Sequence, residues 1–325
     1  MTLSLPDHWI WDTWYAREGD TWHCYFLKAP KSLNDPDLRH FNVEQGHATS
    51  TNLIDWAHHG TCLKPSHGPA WDDYTIWTGS VVQGGDGRWH YFYTGARHSE
   101  DGLYQRIGHA VGDDLHEWER VNGGLCLDLT GPAAEAYEAD HAVGLWHDRA
   151  MRDPWVMRDP EGGGWLMYFT ARANGIADPN SGGCIGFATS PDLHDWTLQP
   201  PVFTGGYGQL EVPQVFEHAG RWYCLFCTAV EHFSKDAAEA LEGGPVTGTH
   251  YLIGDGPRGP WRIAPGFLDG ARPCRRYAAR ILKTDDGLVI MGFADRPDGG
   301  AFRGHVMDPQ PVTADENGYL CVEEG

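Results

Sequence analysis

One apolar phrase recurs along the chain. GRWHYFYTGA at 87–96, GGWLMYFTAR at 163–172 and GRWYCLFCTA at 220–229 are near-copies of a single strand, and DTWHCYFLKA at 20–29 and DGLVIMGFAD at 286–295 are weaker copies. Their anchors, Trp22, Trp89, Trp165, Trp222 and Leu288, are separated by steps of 67, 76, 57 and 66 residues. A second phrase follows four of the anchors and ends in Trp56, Trp118, Trp196 and Trp261. Each unit therefore reads as four short strands joined by Gly, Asp and Pro turns, and periodic units of this size predict propeller blades. Five units fill the chain. The expected architecture is all-β: one five-bladed β-propeller domain over 1–325, with blades at roughly 8–70, 71–148, 149–205, 206–270 and 271–325 and a central funnel. The only stretch of helical composition, 231–249, falls between the second and third strands of blade four, where an inserted loop or short helix near the channel mouth is expected.

The period also locates the chemistry. Ten to twelve residues before each anchor a short segment opens the first, innermost strand of the blade, at Asp12, Trp77, Asp153, Glu211 and Tyr277. First strands of a propeller line one channel, so these five positions are expected at one equivalent blade position and in one funnel. Three of them are carboxylic acids. Asp and Glu are depleted in strands and rarely buried without a role, so folding alone does not account for them.

Composition narrows the partner. A net charge of −21 and a pI near 5.1 argue against nucleic acid or an anionic membrane, since both require basic patches. A neutral or cationic small ligand fits better. The N-terminal MTLSLPDHWIWDTW has no basic segment followed by an apolar core, and no run of 18 apolar residues occurs, so the expectation is a cytoplasmic protein without a membrane span. Eight scattered cysteines without a disulfide spacing are expected as free thiols. The odd offset of Cys224 and Cys227 sends them to opposite faces of a strand, which disfavours a metal site there. The 18 histidines show no ligand spacing, so no metal site is expected.

Most of the 15 tryptophans belong to the repeat and are expected in the core between blades. Trp9, Trp11, Trp14, Trp77 and Trp155 instead cluster in sequence near the inner-strand starts. Aromatic faces beside carboxylates suit a sugar, whose apolar ring face stacks while acids accept its hydroxyl protons. Three carboxylates around one funnel also suit glycoside hydrolysis, which needs one acid for the leaving oxygen and one carboxylate to attack or to activate water.

At these residues the chain resembles a known group. Trp11-Asp12-Thr13-Trp14 resembles the nucleophile motif of glycoside hydrolase family 68, the levansucrase and bacterial invertase group. Trp77-Thr78-Gly79-Ser80 resembles the aromatic-Ser-Gly-Ser segment shared by families 32 and 68. Arg152-Asp153-Pro154 matches the Arg-Asp-Pro motif of both, and Glu211-Val212-Pro213 is similar to the Glu-Cys-Pro motif of family 32. The four occur in family order. The resemblance implies a retaining β-fructofuranosidase, with possible fructosyltransferase activity, acting on sucrose or short fructooligosaccharides without a cofactor. It implies Asp12 as nucleophile, Glu211 as acid/base and Asp153 as transition-state stabiliser. It further implies Arg152 as a donor to the same sugar hydroxyls, Thr78 as hydrogen-bond partner of the nucleophile, Trp11 and Trp77 as walls, and Tyr277 as closure from blade five.

Departures accompany the matches. The Asn-Asp-Pro-Asn nucleophile motif and C-terminal β-sandwich of family 32 have no counterpart in the sequence. Tyr15 follows the nucleophile motif where family 68 has Pro, and Gln209 stands where family 68 carries a second acid. Two other readings compete: an inverting arabinofuranosidase or xylosidase like those of family 43, and a non-catalytic sugar-binding propeller. Among other polar candidates, Asp159 is expected in a turn, Glu217 at the rim, and Asp72 and Asp73 either on substrate or capping a loop. His8 and His47 are within conceivable reach of the funnel but are expected at the surface or in the core.

Overall fold

Each recurring phrase is the second strand of an antiparallel sheet. The computed structural model describes residues 2–140, 148–241, 243–271, 274–296 and 300–323. Blade one contains β1 (His8–Glu18), β2 (Thr21–Pro30), β3 (Glu44–Ser50) and β4 (Ala57–Leu63). Blade two contains β5 (Thr75–Gln83), β6 (Trp89–Ala96), β7 (Arg106–Gly112) and β8 (Glu119–Leu127). Blade three contains β9 (Met151–Arg158), β10 (Trp165–Arg172), β11 (Gly183–Ser190) and β12 (Thr197–Thr204). Blade four contains β13 (Glu211–His218), β14 (Arg221–Thr228), β15 (Thr247–Gly254) and β16 (Trp261–Ile263), with β17 (Asp269–Ala271) also paired to β15. Blade five contains β18 (Arg276–Thr284), β19 (Gly287–Ala294), β20 (Gln310–Ala314) and β21 (Leu320–Val322).

The first strands pack side by side around a ring, β1 on β5, β5 on β9, β9 on β13, β13 on β18 and β18 back on β1. Backbone hydrogen bonds from Ile10 to Gly304 (2.8 Å) and from Val306 to Leu3 (2.9 Å) tie the first blade to the last. The protein is a five-bladed β-propeller. A sheet has two faces and each must be covered, so the core is divided into five wedges, one between each pair of adjacent blades. The anchors Trp22, Trp89, Trp165 and Leu288 are all buried in these wedges. The expected insertion in blade four is a short helix, α1 (Lys235–Ala240), whose first turn is capped by Ser234 accepting from the Ala237 amide at 3.2 Å. Among the described residues no helix is long and apolar enough to cross a membrane.

The inner strands share one irregularity. Each carries a break in register near its start: between Trp11 and Thr13, between Trp77 and Gly79, at Asp153–Pro154 opposite Phe169, between Glu211 and Gln214, and between Tyr277 and Arg280. Four of these bulges put a non-glycine residue in the left-handed region: Asp12 (φ 29°), Asp153 (φ 58°), Val212 (φ 52°) and Ala278 (φ 47°). Thr78 occupies the same place in β5.

This corrects the expected equivalence. Asp12 and Asp153 are the bulged residues, whereas Trp77, Glu211 and Tyr277 stand one position earlier, level with Trp11 and Arg152. A bulge inserts one extra residue and re-aims the side chains around it, so neighbours that would face opposite sides of a regular strand reach the same space. Two adjacent positions per blade are thereby available to the funnel.

Gly79 shows how tightly the bulge of β5 is built. A Cβ added there would overlap the carbonyl oxygen of Phe92 on the paired strand, a backbone atom that cannot rotate away. Gly79→Ala is expected to destabilise the fold by about 1–3 kcal/mol through overpacking. Thermal unfolding checks this, with Gly85→Ala, in open space, as the control expected to be near neutral.

Candidate active site

The bulges deliver residues from all five blades to one cavity of about 390 Å³. Trp11, Asp12, Trp77, Thr78, Arg152, Asp153, Glu211, Val212 and Tyr277 line it together, with Arg39, His40, Gln105 and Asp148 at its sides. All eight residues expected at the site from the sequence are therefore brought together. A larger, shallower cleft of about 600 Å³ near Glu138 and Asn174 holds none of them. Its most buried acid, Glu138, is already paired with Arg172 at 2.8 Å.

Asp12 accepts a hydrogen bond of 2.5 Å from the Thr78 hydroxyl. Because Asp12 and Thr78 occupy equivalent bulges of neighbouring blades, this contact follows from the ring geometry. Asp153 is held from three sides: Oδ2 accepts from Thr170 Oγ1 (3.0 Å) and from the Val212 amide (3.1 Å), and its own amide donates to Thr94 Oγ1 (2.8 Å). The Thr94 hydroxyl donates onward to the Thr78 carbonyl at 3.1 Å, which joins the bulges of blades two and three.

Arg152 is the cation between the acids. Its guanidinium donates to Glu211 Oε1 at 2.8 Å and to Gln209 Oε1 at 2.6 Å, and lies 3.5 Å from Asp153 Oδ2. Glu211 Oε2 accepts from the Tyr277 hydroxyl at 2.5 Å. Beneath the site Arg280, 1% exposed, donates to the Val212 and Pro213 carbonyls at 3.0 and 2.6 Å. Trp77 is fixed by its indole N–H donating to the His40 carbonyl at 2.8 Å.

These contacts set unequal acidities. Burial raises Asp12, and nearby Asp153 and Glu211 raise it further, against the Thr78 hydrogen bond; the result is about 7. Burial also raises Asp153, with Arg152 opposing and Glu211 reinforcing the shift. Burial pushes Glu211 up too, but Arg152 and the Tyr277 hydroxyl outweigh it and hold Glu211 below the usual carboxylate range. In the free protein Asp12 is shifted toward the protonated form and Glu211 toward the ionised one. Carboxylates whose environments drive them apart in this way are characteristic of functional sites.

Several residues were not anticipated. Arg39 and His40 come from the 3₁₀ segment Pro36–Phe41, a connection between β2 and β3 with no motif to mark it. Thr94 and Thr170 lie inside the recurring phrases, and Arg280 follows Tyr277 by three residues, across the bulge. Conversely, three tryptophans expected near the inner-strand starts are structural. Trp14 is fully buried and stacks on Tyr25, Trp9 packs against the same cluster, and the Trp155 indole N–H donates to the Val215 carbonyl at 2.9 Å. Asp72 pairs with Arg120 at 2.8 Å, and Asp73 caps its loop by accepting from the amides of Ala70 and His98. Asp159 and Glu217 serve turns, His8 contacts Asp7, and His47 lies buried away from the cavity.

The charge arrangement gives a stability prediction. Asp12 is raised in the folded state, so its stabilising contribution is complete below the unfolded carboxylate value and is lost as pH rises through about 7. Asp12→Asn removes that penalty while keeping an acceptor for Thr78. It is expected to stabilise the protein at pH 8 by a few kcal/mol, on the scale of 1.36 kcal/mol per unit, with the gain vanishing near pH 4. Thermal unfolding of both proteins across pH checks the sign.

Residues 13–287 match the model of the glycosyl hydrolases family 32 N-terminal domain. An extracellular sucrase of Zymomonas mobilis is 25% identical over 363 residues, covering 91% of this chain and 86% of its own. An invertase of Wickerhamomyces anomalus is 26% identical over 205 residues, which span 62% of this chain and only 33% of the invertase. The structure of an inulosucrase from Halalkalicoccus jeotgali, bound to kestose, superposes with a TM-score of 0.77 at 22% identity, covering 98% of this chain and 87% of that one. With the family model spanning most of its length, the chain belongs to glycosyl hydrolase family 32.

Proposed function

We propose that the protein is a retaining β-fructofuranosidase, with fructosyl transfer as a side activity, acting on sucrose or short fructooligosaccharides. The observation that carries this reading is the convergence of Asp12, Asp153 and Glu211 on one cavity, with Asp12 held by Thr78 and Glu211 by Arg152 and Tyr277. The sucrase and invertase relatives support the same substrate class.

The reaction is a double displacement. Asp12 attacks the anomeric carbon of the fructosyl unit while Glu211 protonates the glycosidic oxygen, and the leaving sugar departs. A covalent fructosyl ester on Asp12 remains. Glu211, now a carboxylate, takes a proton from water, which attacks the same carbon from the opposite side and frees Asp12. Asp153 and Arg152 hold fructosyl hydroxyls, and Trp11 and Trp77 face the apolar side of the ring.

The acidities of the free protein are the reverse of those the first step needs. Asp12 tends to hold the proton and Glu211 to lack it. The three carboxylates raise one another and so titrate as a set. A bound sugar whose hydroxyls engage Arg152 withdraws that cation from Glu211 and favours the proton there, leaving Asp12 ionised to attack. Substrate binding and activation of the acid/base pair are then one event.

The test is product analysis by NMR with sucrose, 1-kestose, levanbiose and an aryl α-L-arabinofuranoside offered separately. Fructose first released as the β-furanose anomer, or fructosyl transfer products, is expected; turnover of the arabinoside alone with inversion contradicts the proposal. Glu211→Gln is expected to lower kcat on sucrose by roughly 10²–10⁴-fold, the usual worth of a general acid, and Tyr277→Phe to shift the pH profile with a smaller loss. An unchanged profile in Tyr277→Phe would exclude its control of Glu211.

A further inference from the structure

Away from the cavity, the same histidine constellation occurs at two successive seams between blades. At the first, His23 on β2 and His47 on β3 are joined by a ring nitrogen contact of 3.0 Å, and His116, from the β7–β8 turn of the next blade, lies edge-on to both. At the second, His90 on β6 and His109 on β7 are joined at 2.9 Å, and His194 from the β11–β12 turn lies edge-on to both. His23 and His90 each follow their anchor tryptophan by one residue, and His116 and His194 stand at one position of the repeated DLH-acid-Trp phrase. His59 completes the first group and Asp86 the second. The ligand atoms of His47, His59 and His116 all lie within 4.8 Å of one another, as do those of Asp86, His90 and His194.

Blade architecture does not require these rings. At the third seam Leu166 and Phe187 occupy the places of the strand histidines and pack apolar, while Tyr168 still donates to the Pro257 carbonyl of the next blade at 2.7 Å. Tyr25 makes the same bond to Leu115 at the first seam, at 2.6 Å. The turn histidines are held in place beforehand. Asp114 accepts from the amides of His116 and Glu117, and Asp192 from those of His194 and Asp195. Partners outside the cluster orient other members: Thr49 contacts His59 Nε2 at 2.8 Å, and Tyr25 stacks on His47. In each group one ligand is buried and two are exposed, so an ion can enter from solvent.

We propose that each of the first two blade seams is a binding site for a divalent transition metal ion of the zinc class: His47, His59 and His116 at the first, Asp86, His90 and His194 at the second. Three imidazoles, or two with a carboxylate, are the donor sets such ions prefer over calcium or magnesium. Neutral imidazoles packed ring to ring carry the lone pairs, and small shifts of the exposed rings close the distances to those of a tetrahedral site with solvent as fourth ligand. His23 and His109, each bonded to a buried ligand ring, act as orienting partners. A bound ion would link adjacent blades and stabilise the ring.

The test is calorimetric titration of tag-free, chelator-treated protein with zinc chloride, read beside thermal unfolding. Two equivalents of saturable binding and a rise of a few degrees in Tm are expected. His59→Ala and His116→Ala should each weaken one equivalent at least about tenfold, His194→Ala should weaken the other, and His67→Ala, outside both groups, should weaken neither. The substituted residues are exposed, so metal-free Tm values should stay near wild type, which separates loss of a ligand from loss of the fold. No saturable binding, or two equivalents retained in every variant, overturns the proposal. One equivalent that is lost with His116→Ala and survives His194→Ala retains the first seam and overturns the second.

Discussion

The structure turns on the bulge at the start of each inner strand. A regular strand would send Arg152 and Asp153, or Trp11 and Asp12, to opposite faces. The extra residue lets both reach the channel, so five blades supply nine such positions to one small volume. The strain is visible in the backbone: Val212, a β-branched residue, sits at φ 52°, where such residues are rarely found. It is sustained because neighbouring blades bind the bulge itself. Arg280 takes the Val212 and Pro213 carbonyls, the Val212 amide goes to Asp153, and Thr94 spans the bulges of blades two and three. The ring thus holds the groups that line the cavity through the same contacts that join one blade to the next.

Electrostatics follow from that placement. Three carboxylates in one small cavity cannot all be charged without cations, and Arg39, Arg152 and Arg280 are the ones that act on them. Arg152 lies on the Glu211 side, and Arg280 lies below, spent on carbonyls. Asp12 is left with a hydroxyl rather than a cation as its hydrogen-bond partner, and burial together with Asp153 raises it to about 7. Stability is given up at the position proposed for the nucleophile, as expected for a functional site.

Much of this was legible in the sequence because the fold is a repeat. The tryptophan anchors gave the blade count, and the distance back from each anchor led to Asp12, Trp77, Asp153, Glu211 and Tyr277. The count back was correct to within one residue; the bulge is what it could not show, since a register break leaves no mark in composition. Arg39 and His40 were invisible for a different reason. They reach the cavity on a 3₁₀ connection, outside the periodic strands, and only tertiary packing brings them there. The histidine groups show the limit from the other side. Their members are spread from residue 23 to residue 116 and from 86 to 194, so no ligand spacing exists to be read. A comparison of equivalent blade positions would have found them, since His23 and His90, like His116 and His194, share places in the repeat.

The proposed double displacement requires Asp12 to act as a covalent nucleophile. The most direct measurement is mass spectrometry of the protein quenched rapidly during turnover of sucrose, with peptide mapping of any adduct. A fructosyl ester on the peptide containing Asp12, absent from Asp12→Asn, is the predicted result. An adduct on another residue, or none at any time under conditions where turnover is observed and release of the ester is slowed, would contradict it.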